Sequence, residues 1–284
     1  MTRCSLRPPE RRNKPLQVPR GEPPMSDSSL PTPGANFSLK EEIRSYWSGR
    51  AATFDQQVGH AIKSDAELAA FQSLLRQSFG TEPRDVLDLA CGTGEITRAL
   101  LSLGHEVTAI DFSEEMLARA RAKHGDKARI LAGDAERLLD DNESYDALVT
   151  RHLVWTLTDP EAAFAEWFRV LKPGGKLLVI DGDWINRSWL QGLLNRAATF
   201  LRDRAGASPH GADREAFDSI TSRFFFREGL SAERLGGMLR QAGFAQVEPA
   251  DYAQVVKAQQ RHAALHDALR LASSTRFALL ATKG

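Results

Sequence analysis

Apolar positions between residues 85 and 183 follow two alternating periods. The short runs "DVLDLA", "EVTAID", "ARILAG", "YDALVT" and "GKLLVID" predict strands. Between them, "GEITRALLSLG", "SEEMLARARAK", the short "AERLLD" and "DPEAAFAEWFRVL" space their apolar residues by three and four and predict helices. Local chemistry supports two of these helices. Ser113 stands where an N-cap belongs, with Glu114 and Glu115 in the first turn, and Asp159 precedes Pro160 at a first helical position. Upstream, "SLKEEIRSYWSGRAATFDQQVGH" predicts a helix broken at Gly49 and Gly59, and "DAELAAFQSLLRQSF" predicts one stopped by Gly80. Downstream, "SAERLGGMLRQAGFAQVEPADYAQVV" reads as a helix then a strand, and "STRFALLAT" as a last strand. Strands alternating with helices predict a parallel sheet covered on both faces. The segment "QQRHAALHDALRLA" is ambiguous; without a crossover there, the last strand pair is antiparallel. Residues 184–230 form an insertion after the fifth strand, in which "WLQGLLNRAATFLRDRA" and "REAFDSITSRFFF" predict covering helices.

Residues 1–36 break this pattern. They are rich in Pro, Arg and Ser and poor in apolar residues, which predicts a disordered tail before a folded domain over 37–284. The 284 residues are 42% hydrophobic, enough for a sizeable core. Lys plus Arg equals Asp plus Glu at 37 each, so net charge offers no argument for nucleic acid or an anionic membrane. No apolar run reaches the ~18 residues of a membrane span. Two cysteines, Cys4 and Cys91, make neither a disulfide framework nor a metal site and suit a cytoplasmic protein.

The stretch "VLDLACGTGEITRAL" places small residues between the first strand and its helix. In a doubly wound sheet ligands bind at that edge, though a tight turn alone would read the same way. Two further acids favour a ligand. Asp111 ends the second strand, where a carboxylate can accept from both ribose hydroxyls, and Asp134 follows the third, where it can hold an exocyclic amine of a base. Three acids at consecutive strand ends, with Asp88, point to a nucleoside. A dinucleotide fits poorly: Thr97 stands where its fingerprint has Gly or Ala, and Asp88 would repel a pyrophosphate but favour an ammonium or sulfonium. There is no phosphate loop of the G-x-x-x-x-G-K-S/T kind.

The motifs "DLACGTG", "AIDFSEEML", "GDAERL", "YDALVTRHLVWTLTDP" and "RVLKPGGKLLVID" resemble the class I S-adenosylmethionine-dependent methyltransferases, in the small-molecule branch that includes the quinone-biosynthesis enzymes. The resemblance covers residues 40–184, with a weaker echo in "QAGFAQVE". It implies a Rossmann-like α/β fold: seven strands, mostly parallel, an antiparallel last strand, helices on both faces and a helical lid after the fifth strand. It implies S-adenosyl-L-methionine as cofactor. Position by position, Asp88, Ala90, Gly92 and Gly94 would pack round its methionine half and Asp111 would hold the ribose. Phe112 and Met116 would flank the adenine, Asp134 and Ala135 would read its amine edge, and Arg151 would border the cofactor. Tyr46 and Arg50 would close over the carboxylate, with Trp47 packing; the alternative is that this helix only caps the sheet.

Methyl transfer from a sulfonium is a direct displacement, so alignment and exclusion of water carry most of it, and a base is needed only where the acceptor must lose a proton. His152, after the fourth strand, is the candidate base; a histidine bonded to backbone beneath the lid is its alternative. Asp181 or Asp183 could orient an acceptor or merely cap a turn, and His210 lies in a loop expected to face solvent. The Asn/Asp-Pro-Pro-Tyr/Phe stretch of adenine- and glutamine-amino methyltransferases is absent, with "TRHLVW" in its place. The "TSRFFFREG" and "WINRSWLQGLL" segments suggest an apolar lid and an apolar or aromatic small-molecule acceptor, or a lipid; for the Phe triplet itself, core of the lid is the preferred reading. A catalytically silent cofactor-binding subunit and an aminopropyl transferase are the competing functions; the sequence does not decide oligomeric state.

Overall fold

The computed structural model describes residues 35–206, 214–261 and 263–284. The tail expected over 1–36 lies outside the described residues up to Gly34, as does His210. The first helix is α1 (Ala35–Arg50), followed by a 3-10 turn over Ala51–Gln56 and α2 (Asp65–Phe79). The alternating units then run β1 (Asp85–Leu89), α3 (Glu95–Leu101), β2 (Glu106–Asp111), α4 (Glu114–His124), β3 (Arg129–Ala132), β4 (Tyr145–Arg151), α5 (Pro160–Val170) and β5 (Leu171–Asp183). The insertion carries α6 (Trp189–Arg204) and α7 (Arg214–Thr221). The chain ends with α8 (Ala232–Gln241), β6 (Phe244–Pro249), α9 (Ala253–Arg261), α10 (Leu265–Ala272) and β7 (Thr275–Lys283).

The seven strands lie in the order β3-β2-β1-β4-β5-β7-β6. The first five are parallel, and β7 runs antiparallel to both of its neighbours. The connection left ambiguous in the sequence is thus two helices, α9 and α10, joining an antiparallel pair. Alternate residues of each central strand serve opposite faces. Leu87, Leu89, Leu148, Leu177 and Val179 enter one apolar core, and Val86, Ala147, Val149, Leu178 and Ile180 enter the other. Both faces are covered, which is why these strands read as near-continuous apolar runs.

The expected caps are formed. Ser113 Oγ accepts from Met116 N at 3.2 Å and Asp159 Oδ1 from Ala162 N at 3.0 Å; Ser188, not singled out in the sequence, forms a capping box with Gln191. Three expectations are corrected. Helix α1 runs through Gly49 and yields to the 3-10 turn only after Arg50. The helix expected to include the Phe triplet ends at Thr221. "AERLLD" is no helix. Asp134 Oδ1 takes the Glu136 N–H at 2.9 Å, and the Ala135 carbonyl accepts from Trp167 Nε1 at 2.8 Å. The first is a local side-chain turn and the second a long-range bond, and together they hold this segment in a non-helical turn.

Trp167 is fully buried in α5 and ties that helix to the loop after β3 through this bond. Trp167→Ala should lower unfolding free energy in urea by about 3–5 kcal/mol, as for other large aromatic truncations. Trp167→Phe should cost only about 1–3 kcal/mol, the penalty of leaving the Ala135 carbonyl unpaired.

Candidate functional site

Strand order reverses between β1 and β4, so the loops that follow these strands diverge and leave a crevice at their carboxyl ends. A cavity of about 350 Å³ lies there. The loop after β1 shapes its floor with three left-handed residues, Ala90 (φ 55°), Gly92 (φ 55°) and Gly94 (φ 87°). Asp111, at the end of β2, is buried and grips the loop. Its Oδ2 accepts from Gly92 N and its Oδ1 from Ser113 N, both at 2.9 Å. Burial pushes its carboxyl up to about 6, against the pull of these N–H groups. Asp88, equally buried, accepts from Thr97 Oγ1 at 2.6 Å, and burial pushes it up to about 7. The hydroxyl at the position where a dinucleotide loop has Gly or Ala is therefore spent on Asp88.

Of the residues singled out in the sequence, Arg50, Asp88, Ala90, Gly92, Asp111, Phe112, Met116, Arg151 and His152 line this cavity. Asp134 and Ala135 line a smaller recess of about 40 Å³ that shares Ala90, Asp111 and Phe112 with it. Two do not line it. Gly94 turns its back to the cavity and packs on α4, where a Cβ would meet His124 Cδ2 at 2.9 Å. Tyr46 stands one helical turn before Arg50, so its hydroxyl accepts from the Arg50 guanidinium, and its ring packs on Phe217. Trp47, expected only to pack, is the aromatic of α1 that reaches the cavity. Arg50 also donates to Gln57 Oε1 at 2.5 Å and lies over the Tyr46 and Trp47 rings.

The wall after β4 is unusual. His152 holds a left-handed backbone at φ 61°, fixed by His152 N to Ile180 O at 2.8 Å and by Trp155 Nε1 to His152 O at 3.0 Å. A non-glycine residue pinned there stores strain of the kind found at functional sites. Its ring lies 5.0 Å from Trp184 and 5.8 Å from His60, with Nε2 buried and unpartnered among the described residues. Burial, and then Arg151, hold the imidazole well below its usual range. His60 is pushed down to about 3, by burial and by Arg151, Arg50 and Arg270. Arg151 donates to the His60 carbonyl, while its Nη1 is buried without a partner among the described residues. Asp181 is fully buried and accepts from Gly182 N at 2.8 Å, Trp184 Nε1 at 3.1 Å and Trp155 N at 3.4 Å, so it orients two cavity tryptophans. Asp183 serves the turn, accepting from Asn186 N at 2.8 Å.

Several residues of the site were not foreseen from sequence. Lys123 Nζ bridges Asp55 and Glu95, each at 2.8 Å, and Thr93 Oγ1 donates to Asp55 at 2.5 Å, clamping the glycine loop to the segment after α1. Lys40 pairs with Asp134 and Glu136, each at 2.7 Å. Each is a long-range pair with no local signature.

Residues 87–179 match the methyltransferase-domain family. The chain is 34% identical over 186 residues to the ubiquinone/menaquinone biosynthesis C-methyltransferase of Methylobacterium nodulans, covering 63% of this chain and 72% of that one. It belongs to the class I S-adenosylmethionine-dependent methyltransferases. Against malonyl-(acyl-carrier protein) O-methyltransferase of Hahella chejuensis, identity is 36%, covering 49% of each chain. The fold is shared with Haemonchus contortus phosphoethanolamine N-methyltransferase 2, solved with phosphomonomethylethanolamine and S-adenosylhomocysteine, at TM-score 0.58 and 18% identity, over 89% of this chain and 61% of that one. Among the described residues of this methyltransferase, no helix is long and apolar enough to cross a membrane. Its cofactor, as a member of this family, is S-adenosylmethionine, and the chemistry of the cavity residues fits that group. The buried, unpartnered donor Arg151 Nη1 and the unpartnered Gln57 Nε2 belong to cavity residues, as do the two ionisable acids.

Gly94→Ala should lower stability by about 1–3 kcal/mol in thermal or urea unfolding, because the left-handed backbone and the contact with α4 both oppose a side chain. Gly49→Ala, helical and with nothing within 4 Å of an added Cβ, should leave stability unchanged or raise it by up to about 1 kcal/mol.

Proposed function

We propose that this methyltransferase methylates a small-molecule acceptor with an apolar or aromatic body, held between the glycine loop and the tryptophans after β4 and β5. The observation that carries the reading is the single cavity wall shared by the Gly92 loop, Asp111, His152, Trp155 and Trp184. When bound, the cofactor supplies a methyl group already activated by a positive sulfur. The chain's own residues bind, orient and exclude water.

Asp111 keeps lone pairs beyond those used by Gly92 N and Ser113 N, and we assign it the ribose hydroxyls. Phe112 and Met116 flank the adenine, and Asp134 with Ala135 reads its amine edge from the smaller recess. Asp88, Ala90 and Gly92 surround the methionine half, where ionised Asp88 favours its cationic groups; Gly94 acts behind them by letting α4 approach. Arg50, braced by Tyr46, takes the carboxylate, and Arg151 borders it. The proposed base is His152. It is unprotonated at neutral pH, as a base must be, with Nε2 free to receive a proton. Its low basicity restricts it to an acceptor whose proton is already acidic, such as a phenol or an activated carbon. The two relatives methylate carbon and oxygen and the fold neighbour nitrogen, which leaves the reacting atom to the acceptor pocket.

Two substitutions test these roles. Asp111→Ala should weaken S-adenosylhomocysteine binding in calorimetry by about 1.5–3 kcal/mol, roughly 10- to 150-fold. Unchanged affinity in a folded variant removes Asp111 from the ribose. Once methyl-labelled cofactor and cell extract have identified the acceptor, His152→Gln should lower turnover ~10²–10⁴-fold at constant cofactor affinity. A loss of threefold or less leaves alignment and desolvation as the whole mechanism.

A further inference from the structure

The chain is neutral overall, but its cavity is not. Five arginines line it, Arg50, Arg151, Arg187, Arg270 and Arg276, against two carboxylates, Asp88 and Asp111. Three of the five are committed. Arg50 is held by Tyr46 and Gln57, Arg151 by the His60 carbonyl, and Arg276 by Gln259 Oε1 at 2.7 Å and the Leu271 carbonyl at 3.2 Å. The guanidiniums of Arg187, between β5 and α6, and Arg270, on α10, make no hydrogen bond or ion pair with any described residue. Asn195 of α6 lines the same cavity with its amide likewise unengaged among the described residues.

These guanidiniums repel one another. Arg270 is exposed to the open cavity yet surrounded by protein, and it feels Arg202, Arg50 and Arg187, with only Asp267 opposing them. The cofactor deepens the imbalance, since its sulfonium and ammonium outweigh its one carboxylate. Arg187 and Arg270 are both exposed, so water solvates them, and crowding like charges in a cleft raises the local positive potential and favours a bound anion. Arginine forks match the planar oxygens of carboxylates and the oxygens of phosphates.

We propose that the acceptor carries an anionic group, a carboxylate or a phosphate, clamped by Arg187 and Arg270 with the Asn195 amide, while its apolar body lies against Trp155 and Trp184. The inference rests on the cavity's being the methyltransferase site. It deepens that reading by giving the acceptor a charged end.

The test is calorimetric titration of the full chain, saturated with S-adenosylhomocysteine, using benzoate, phenyl phosphate and neutral benzamide as probes. At least one anion should bind about tenfold or more tightly than benzamide, and the preferred anion assigns the group. Arg187→Gln and Arg270→Gln should each weaken anion binding about tenfold, and Arg270→Lys should restore part of it. S-adenosylhomocysteine affinity should stay within about twofold in each variant. Benzamide binding as well as both anions, or no anion binding at millimolar concentration, overturns the proposal. So does an Arg270→Gln variant that loses S-adenosylhomocysteine but keeps the anion, because Arg270 then serves the cofactor carboxylate. Wild-type protein that fails to bind S-adenosylhomocysteine at all overturns the cofactor site itself, a distinct result.

Discussion

One carboxylate ties two βα units of this protein together at the edge of the cleft. Asp111 accepts the Gly92 N–H and the Ser113 N–H at the same distance, 2.9 Å, one from each side. The first bond fixes a left-handed loop after β1, and the second fixes the start of α4 after β2. Two adjacent βα units are thereby locked at their carboxyl ends, where the diverging strand order opens the cleft. Gly94 completes the lock on the other side, since only a residue without Cβ lets the loop lie against Ala120 and His124 of α4. The clamp of Lys123 on Asp55 and Glu95 then fastens the segment after α1 over the loop.

The same arrangement loads the site with buried acids. Asp88 and Asp181 are pushed up to about 7 and Asp111 to about 6, from an ordinary value of 3.8, chiefly by burial. A carboxyl raised on folding binds its proton more tightly in the native chain, so these groups favour the fold at low pH. Their contribution is lost as pH rises from about 4 through about 7. At neutral pH the folded chain therefore carries charges that its interior disfavours. On the proposed reading, the cofactor's ammonium offsets this at Asp88, while the backbone and indole N–H groups around Asp181 are a fixed compensation. Site and stability are in tension here, as they commonly are where ionisable groups are buried for function.

The sheet was legible because its signals are local. Period-two apolar runs, Ser113 and Asp159 as caps, and the glycines after β1 each act within a few residues. Asp111 was legible by position alone, as the acid at a strand end, although its grip on Gly92 was not. What sequence misread depended on orientation or distance. Tyr46 and Trp47 are neighbours in the chain, and only the rotation of α1 decides that Trp47 meets the cavity while Tyr46 braces Arg50. "AERLLD" has a helical pattern, but Trp167, far along the chain, claims the Ala135 carbonyl. Lys40 beside Asp134, and Lys123 beside Asp55, pair across separations that no periodicity encodes.

This division follows the chemistry. The family match ends at residue 179, and the strands and loops it spans supply the glycine loop, Asp111, Phe112, Asp134 and the wall at His152. Trp184, Arg187, Asn195 and Arg270 all lie beyond it, in the insertion after β5 and in α10, and the insertion's α6 packs on α10. A cofactor common to a family demands the same donors at the same strand ends, so that half of the site is constrained in sequence. The acceptor half needs only some shape and charge complementary to one molecule, and helices outside the sheet can supply it without disturbing the strand register. The Phe triplet reads from sequence as core of the lid in preference to an acceptor wall. Phe224 and Phe226 are buried in the core, and of the insertion's aromatics Trp184 and Phe217 face the cavity. Arg187 and Arg270 line the same cavity, so on the proposed reading specificity is a matter of where charge is placed within an aromatic cleft.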